Sequence, residues 1–331
     1  MLLSKIFRLA VMAATAVGVS AHTQRTPAEM IEYHQKVARD AKALTKCLDT
    51  PGLKELNTRL IAQRRESFHR LRKARGIDFQ PRDKAALEKW HNINHDQTAS
   101  GKGNDYKNDG KLFEVDGNDP DKKAKPSVCI LTPENVWGPF WTDREAYRQD
   151  IRGDQKGIYQ RLALQIIDVT TCKPLSGARV DVWQVNADGK YAKQVRDDGG
   201  GDVHWLTGAQ STSSWGTVAF DTIFSGHYTD RAVHTHLAVR ANEKFNDPDG
   251  FVHTGHIFYD EYPREEIEKT APYKSDTQKL VLTIDDAWAQ AVATEKVDPF
   301  AHWAWLDDGN HQAGIVTWTT VGVNSSAHIS T

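Results

Sequence analysis

The 331-residue sequence lacks an excess of charge of one sign, because 42 Lys and Arg face 44 Asp and Glu, a formal net charge of −2 at pH 7. This balance argues against a strongly basic nucleic-acid-binding protein. The sequence also shows no internal repeat, no phosphate-binding glycine loop and no membrane-length apolar stretch. Hydrophobic residues at 39% and charged residues at 26% are typical of a soluble globular protein. We therefore expect neither nucleic acid nor membrane as a partner.

The one long apolar run lies at the N-terminus, in residues 1–21. Lys5 and Arg8 give this segment a positive start, apolar residues follow from Leu9, and Val19-Ser20-Ala21 forms a small-residue cleavage site. The pattern predicts a signal peptide and a secreted protein.

Cysteine is scarce, with Cys47, Cys129 and Cys172 as the only three. A secreted protein with three cysteines is expected to form one disulfide and leave one thiol over. Cys129 and Cys172 border a predicted sheet segment, so we expect these two to pair. Cys47 lies on a predicted helix and is the expected leftover.

The sequence changes character along its length. Helical periodicity marks an N-terminal region (22–98), and Gly, Asn, Asp and Lys dominate a polar linker (99–127). Short β-rich segments separated by turns fill residues 128–324, before a tail at 325–331. This order predicts a mainly β fold, an antiparallel β-sandwich with an N-terminal α-helical extension.

The densest group of chemically versatile residues lies between residues 224 and 236. His234 and His236 stand two apart at the start of a predicted strand, so both side chains point to one face. Imidazoles bind Zn, Cu, Fe or Ni, and a phenolate from Tyr228 would favour a hard trivalent ion such as Fe³⁺. The alternative is a partly buried polar surface that binds nothing.

The segment from Cys129 onward resembles the secreted fungal intradiol ring-cleavage dioxygenases, which are non-haem ferric enzymes that open catechols between the two hydroxyl carbons. The resemblance covers about two-thirds of the chain, as a series of motifs in order. These motifs are Cys129–Glu134, Gly138-Pro139, Ile167–Pro174, Val180–Tyr191, Phe220–Phe224, Gly226–Thr229, Arg231–His236 and Gly255–Glu261.

The resemblance implies a site that holds Fe³⁺ with Tyr228, His234 and His236 among its ligands. It also implies that Arg231 lies beside the bound catecholate and favours its negative charge. The substrates would be a catechol-type aromatic and O₂, and the product a muconate-type diacid. By the same resemblance, the N-terminal helices are expected to form a homodimer contact.

Two positions depart from the family pattern. The family's other tyrosine ligand follows a Gly-Pro pair by one residue, where this sequence has Trp141, so we expect one phenolate ligand to be missing. Asp143 and Tyr147 are the candidate substitutes. His256 stands where the family usually carries Gln near the reacting ring, as a catalytic base, a replacement ligand or a hydrogen-bonded polar residue.

Two functions follow from these observations. The first is an extracellular dioxygenase that keeps its activity through a substitute ligand. The second is a degenerate family member that binds a metal or an aromatic ligand without cleaving it, with Trp141 stacking on the ring.

Overall fold

A computed structural model describes residues 35, 39–40, 42–44, 46–76, 140, 146–197, 204–241, 250–286, 288–289, 299–307, 310–327 and 329. The expected signal peptide and polar linker lie outside these residues. The helices are α1 (Pro51–Ala74), α2 (Ala192–Asp197) and α3 (Glu261–Glu268), with short 3-10 helices at Tyr273–Ser275, Thr283–Asp285 and His311–Ala313. None of the helices in this part of the chain combines the length and apolar character needed to cross a bilayer.

The longest helix, α1, begins where its sequence supplies a cap. The Thr50 hydroxyl accepts a hydrogen bond from Leu53 N at 3.4 Å, and Pro51 has no N–H to leave unpaired in the first turn. Leu53, Leu56 and Leu60 recur at helical spacing and are buried. They pack with Ile167 and Val169 of the β region, so the helical extension is joined to the sheets by an apolar contact.

Within the described residues, nine strands form two sheets. They are β1 (Tyr159–Asp168), β2 (Lys173–Pro174), β3 (Arg179–Trp183), β4 (Thr207–Ser211), β5 (Thr217–Ile223), β6 (His234–Arg240), β7 (Phe251–Phe258), β8 (His302–Trp305) and β9 (Ile315–Val323). The five-stranded sheet has the order β2-β1-β9-β8, with β5 also paired to β1, and the four-stranded sheet has the order β4-β3-β6-β7. Every pair is antiparallel except β1 with β9. The mainly β architecture with N-terminal helix is as predicted.

Side chains from both sheets share one buried apolar cluster. It includes Leu162, Leu164 and Phe220 from the five-stranded sheet, and Val180, Leu237 and Val239 from the four-stranded sheet. Strands β3, β6 and β7 are buried at every residue, which means that both of their faces are covered. Because side chains alternate along β6, Leu237 and Val239 face this core while His234 and His236 face the opposite side of the sheet.

The predicted disulfide is wrong. Cys172 is bonded to Cys47, which lies 125 residues earlier; Cys129 lies outside the described residues. The helical segment that carries Cys47 docks on the turn after β1, where Cys172 N donates to Asp168 O at 2.9 Å. Cysteine pairing follows this three-dimensional contact rather than the neighbourhood of predicted strands, and that is why the sequence pattern misled.

Candidate metal centre

Two imidazoles meet at the start of strand β6, where His234 and His236 are the first and third residues. The Nε2 atoms of His234 and His236 lie 3.2 Å apart, and both side chains are buried. His234 Nδ1 lies 2.6 Å from Ala232 O, which can only accept, so Nδ1 carries the proton and Nε2 presents its lone pair to the cluster. The prediction that the two histidines share one face and converge is confirmed.

Two phenols complete the group. The Tyr228 hydroxyl oxygen lies 3.4 Å from His234 Nε2, and the Tyr191 hydroxyl oxygen lies 2.7 Å from His236 Nε2. The two phenol oxygens are 3.2 Å apart. We refer to Tyr191, Tyr228, His234 and His236 as the four-donor cluster.

A tight junction between two loops brings the phenols together. Tyr191 follows a turn in which Asn186 Oδ1 accepts hydrogen bonds from Asp188 N and Lys190 N, at 3.1 and 3.0 Å. Gly189 in this turn has φ +69°, and a Cβ on it would lie closer than 3.0 Å to His227 O. The backbone beside Tyr228 therefore approaches the turn before Tyr191 more closely than any other residue type allows.

A row of rings across the four-stranded sheet supports the cluster. Trp183 of β3, His236 of β6 and His256 of β7 are cross-strand neighbours. The Trp183 ring stacks on His236 with centroids 4.8 Å apart, and the His256 centroid lies 4.5 Å from that of His236. Phe140 stacks on Tyr191 at 4.5 Å. These contacts hold the donor rings in place. They leave Tyr191, His234 and His236 buried and Tyr228 partly buried.

Burial sets the protonation of the phenols. It raises the pKa of Tyr191 well above its usual value, and nearby Tyr228 raises it further. Burial also raises the pKa of Tyr228, although the positive charge of Arg231 partly offsets this effect. Both phenols therefore hold their protons near neutral pH, and a cation that binds here has to displace them.

Arg231 is held beside Tyr228 by a buried carboxylate. Its Nε donates to Asp286 Oδ2 at 2.9 Å, and both side chains are almost fully inaccessible. Asp286 Oδ2 also accepts from Ala232 N at 2.8 Å. The ion pair thus fixes the backbone between Tyr228 and His234 as well as the guanidinium.

A second set of contacts involves His227. Its Nδ1 lies 2.8 Å from Glu268 Oε1, and this carboxylate raises the pKa of His227. Burial of Glu268 opposes ionisation, but His227 and Arg264 outweigh it and lower the pKa of Glu268. His227 therefore ties the segment that carries Tyr228 to helix α3.

The four-donor cluster fits a metal ion. Two ligands at right angles around one ion, each at about 2.1 Å, are separated by about 3 Å. The neighbouring donor atoms lie between 2.7 and 3.4 Å apart. Phenol oxygens with imidazole nitrogens suit a hard trivalent ion such as Fe³⁺. His256 is close as well, since its ligand atom lies within 4.8 Å of those of His234 and His236.

The solved structures that resemble this chain carry a consistent description. An intradiol ring-cleavage dioxygenase from Tetranychus urticae aligns at TM-score 0.51 with 26% identity, over 61% of this chain and 98% of that protein. The structural neighbours are intradiol ring-cleavage dioxygenases. A second dioxygenase crystal structure gives the same values. A hydroxyquinol 1,2-dioxygenase from Pseudomonas putida DLL-E4 aligns over 82% of this chain and 99% of that chain, at 14% identity and TM-score 0.40. No protein-family model and no curated protein matches the sequence.

The structure brings together five of the site residues predicted from the sequence. They are Tyr228, His234, His236, Arg231 and His256. Tyr147, a candidate substitute ligand, forms a β-bridge with Ala209 of β4, and 51% of it is exposed. A side chain so placed does not belong to the four-donor cluster, so the prediction that Tyr147 is a substitute ligand is wrong. Asp143 and Trp141 lie outside the described residues.

The residue that sequence reasoning missed is Tyr191. It stands at the end of a motif that carries the dioxygenase resemblance, after the turn at Asn186 and Gly189, but it is not among the residues that the sequence pattern predicts at the site. The expectation of a site with a single phenol was therefore mistaken: whatever Trp141 does, a second phenol is present. The signal available in the sequence was a tyrosine two residues after the glycine of an Asn-x-x-Gly turn.

Proposed function

We propose that this chain is an extracellular intradiol ring-cleavage dioxygenase. It holds Fe³⁺ through Tyr191, Tyr228, His234 and His236, and it converts catechol-type aromatics and O₂ to muconate-type diacids. The observation that carries the proposal is the four-donor cluster, in which two imidazoles and two phenols converge, with Tyr228 the one partly buried donor among them. The similarity of the chain to the Tetranychus urticae dioxygenase, with 26% identity over 61% of the chain, supports the same function.

When bound, ferric iron supplies the Lewis acidity and redox character that ring opening by O₂ requires. The protein supplies charge and order. Arg231 lies close enough to Tyr228 to affect its pKa, and its guanidinium favours a catecholate over the neutral catechol. Asp286 holds that guanidinium, so little reorganisation is needed when the substrate binds.

His256 is the third imidazole of the site. Its centroid lies 4.9 Å from that of His234 and 4.5 Å from that of His236, and the residue is buried. We assign it a place against the bound ring, as a catalytic residue that contacts the substrate. The surrounding rings of Trp183 and Phe140 exclude water from the same space.

The alternative of a degenerate protein that binds without cleaving rested on a missing phenol. Because Tyr191 supplies a second phenol at 3.2 Å from the Tyr228 oxygen, no observation in the described residues favours that alternative.

Location and assembly belong to the same proposal. The N-terminal segment 1–21 predicts secretion, and the Cys47–Cys172 disulfide supports an oxidising compartment. The two sheets are proposed to form the β-sandwich of this enzyme class, and the N-terminal helices its homodimer contact, which light scattering on the purified protein tests.

The test is metal content and visible absorption of the purified protein, with and without catechol, followed by an assay for the ring-opened diacid. We expect bound iron, a phenolate-to-Fe³⁺ band that shifts with catechol, and product formation. Tyr191→Phe and Tyr228→Phe should each weaken the band, while Tyr147→Phe, an exposed tyrosine outside the cluster, serves as the matched control. A wild-type protein that stays colourless after iron loading refutes the proposal.

A further inference from the structure

Gln278 contacts both loops that carry the phenols. Its side-chain Nε2 donates to Asp188 O at 3.0 Å and to Gly189 O at 3.4 Å, in the turn before Tyr191. Its Oε1 accepts from Thr229 N at 3.4 Å, and its backbone O lies 3.1 Å from His227 Nε2. Gln278 therefore contacts the turn before Tyr191 and also the two residues that flank Tyr228, which are His227 and Thr229.

The position of Gln278 is itself fixed. Its backbone N donates to Asp276 Oδ1 at 2.9 Å, in a turn that follows the 3-10 helix at Tyr273–Ser275. Tyr273 is buried, and its hydroxyl donates to Phe224 O at 2.7 Å. The segment that carries Gln278 is thus anchored in the core, so the amide is held against the two loops from an ordered support.

We propose that Gln278 is a positioning residue that sets the separation of the Tyr191 and Tyr228 oxygens, and through it the strength with which the site holds iron. The inference rests on the proposed function. Both phenols come from loops rather than strands, so the 3.2 Å between their oxygens depends on how the loops are joined. The contacts that orient ligands in this way affect metal affinity by about 10- to 100-fold when they are removed.

The test compares Gln278→Ala, Gln278→Glu and wild type by iron titration and by the visible phenolate-to-Fe³⁺ band. Gln278→Ala should lower iron affinity by about 10-fold or more and weaken or shift the band. Gln278→Glu keeps an oxygen for Thr229 N but turns an acceptor toward the carbonyls of Asp188 and Gly189. It should therefore not restore wild-type affinity.

A matched control is Gln210→Ala, because Gln210 also donates from Nε2 to a backbone oxygen, that of Ala219, away from the phenol loops. This variant should keep the iron affinity and the spectrum of the wild type. Urea unfolding of each metal-free protein measures the purely structural effect of each substitution.

Two outcomes overturn the assignment. One is a Gln278→Ala protein with wild-type iron affinity and spectrum, and the other is a loss of stability in that variant with the band unchanged. Failure of the proposed function is a different result, since it appears as a wild-type protein that develops no band at all.

Discussion

The junction between the two phenol loops gives the sharpest prediction, because the chain contains a matched pair of glycines. Gly189 and Gly177 both have φ +69°. A Cβ on Gly189 would lie closer than 3.0 Å to His227 O and Gln278 Nε2, whereas a Cβ on Gly177 would meet nothing within 4 Å. Substitution by alanine therefore adds the same backbone strain at both sites and adds steric overlap at only one.

The magnitudes follow from these two terms. A left-handed conformation costs a non-glycine residue about 1 to 2 kcal/mol, and this is the full effect expected for Gly177→Ala. Overpacking typically adds about 1 to 3 kcal/mol, and the His227 carbonyl that must yield is backbone. Gly189→Ala should thus destabilise the protein by about 2 to 5 kcal/mol, and it should separate the two phenol oxygens.

Urea unfolding measures the stability difference, and iron loading with the visible band measures the effect on the site. We expect Gly177→Ala to load iron as the wild type does, and Gly189→Ala to lose iron affinity even under conditions in which it remains folded. Equal destabilisation by the two substitutions, with the same band in both, would refute the argument that the loop junction positions the phenols.

Three further predictions concern stability and can be checked by denaturant unfolding. Replacing Cys47 and Cys172 together by serine should cost about 4 to 5 kcal/mol, because the 125-residue separation makes a long closed loop; an unchanged midpoint would count against this. Burial raises the pKa of Asp168, but hydrogen bonds outweigh it and the net shift is downward, so its contribution is present above about pH 4 and fades as pH falls through the folded-state pKa. The gap between wild type and Asp168→Asn should therefore narrow from pH 7 to pH 3, and a constant gap would contradict the sign. Asp286→Asn leaves the buried Arg231 guanidinium without its carboxylate and should cost about 3 kcal/mol or more, whereas a neutral effect would show that the pair is not needed.

The sequence was informative where function follows local periodicity. His234 and His236 had to share a face because strand side chains alternate, and the structure confirms it. The fold class followed in the same way from short β-rich segments. These inferences need only the spacing of residues along one element.

The sequence misled where contacts join distant segments. Tyr191 reaches the site because glycine permits a close approach of two loops, and no spacing rule connects residue 191 to residue 228. Asp286 lies 55 positions from Arg231, and the sequence around it gives no reason to single it out from its neighbour Asp285. Cys47 meets Cys172 because a helix docks on a turn, a contact that depends on the packed core.

The two halves of the four-donor cluster therefore differ in how they are held. His234 and His236 belong to β6, which is hydrogen-bonded to β3 on one side and β7 on the other. Every residue of these three strands is buried, so moving the two histidines would disturb the packed sheet. Tyr191 and Tyr228 belong to loops, and their relative position depends on glycine contacts and on side-chain hydrogen bonds. Substitutions in the loops should consequently alter the phenol contribution to metal binding before they alter the imidazole pair. A site built in this way can change its affinity and colour through loop residues while the strands and the fold stay the same.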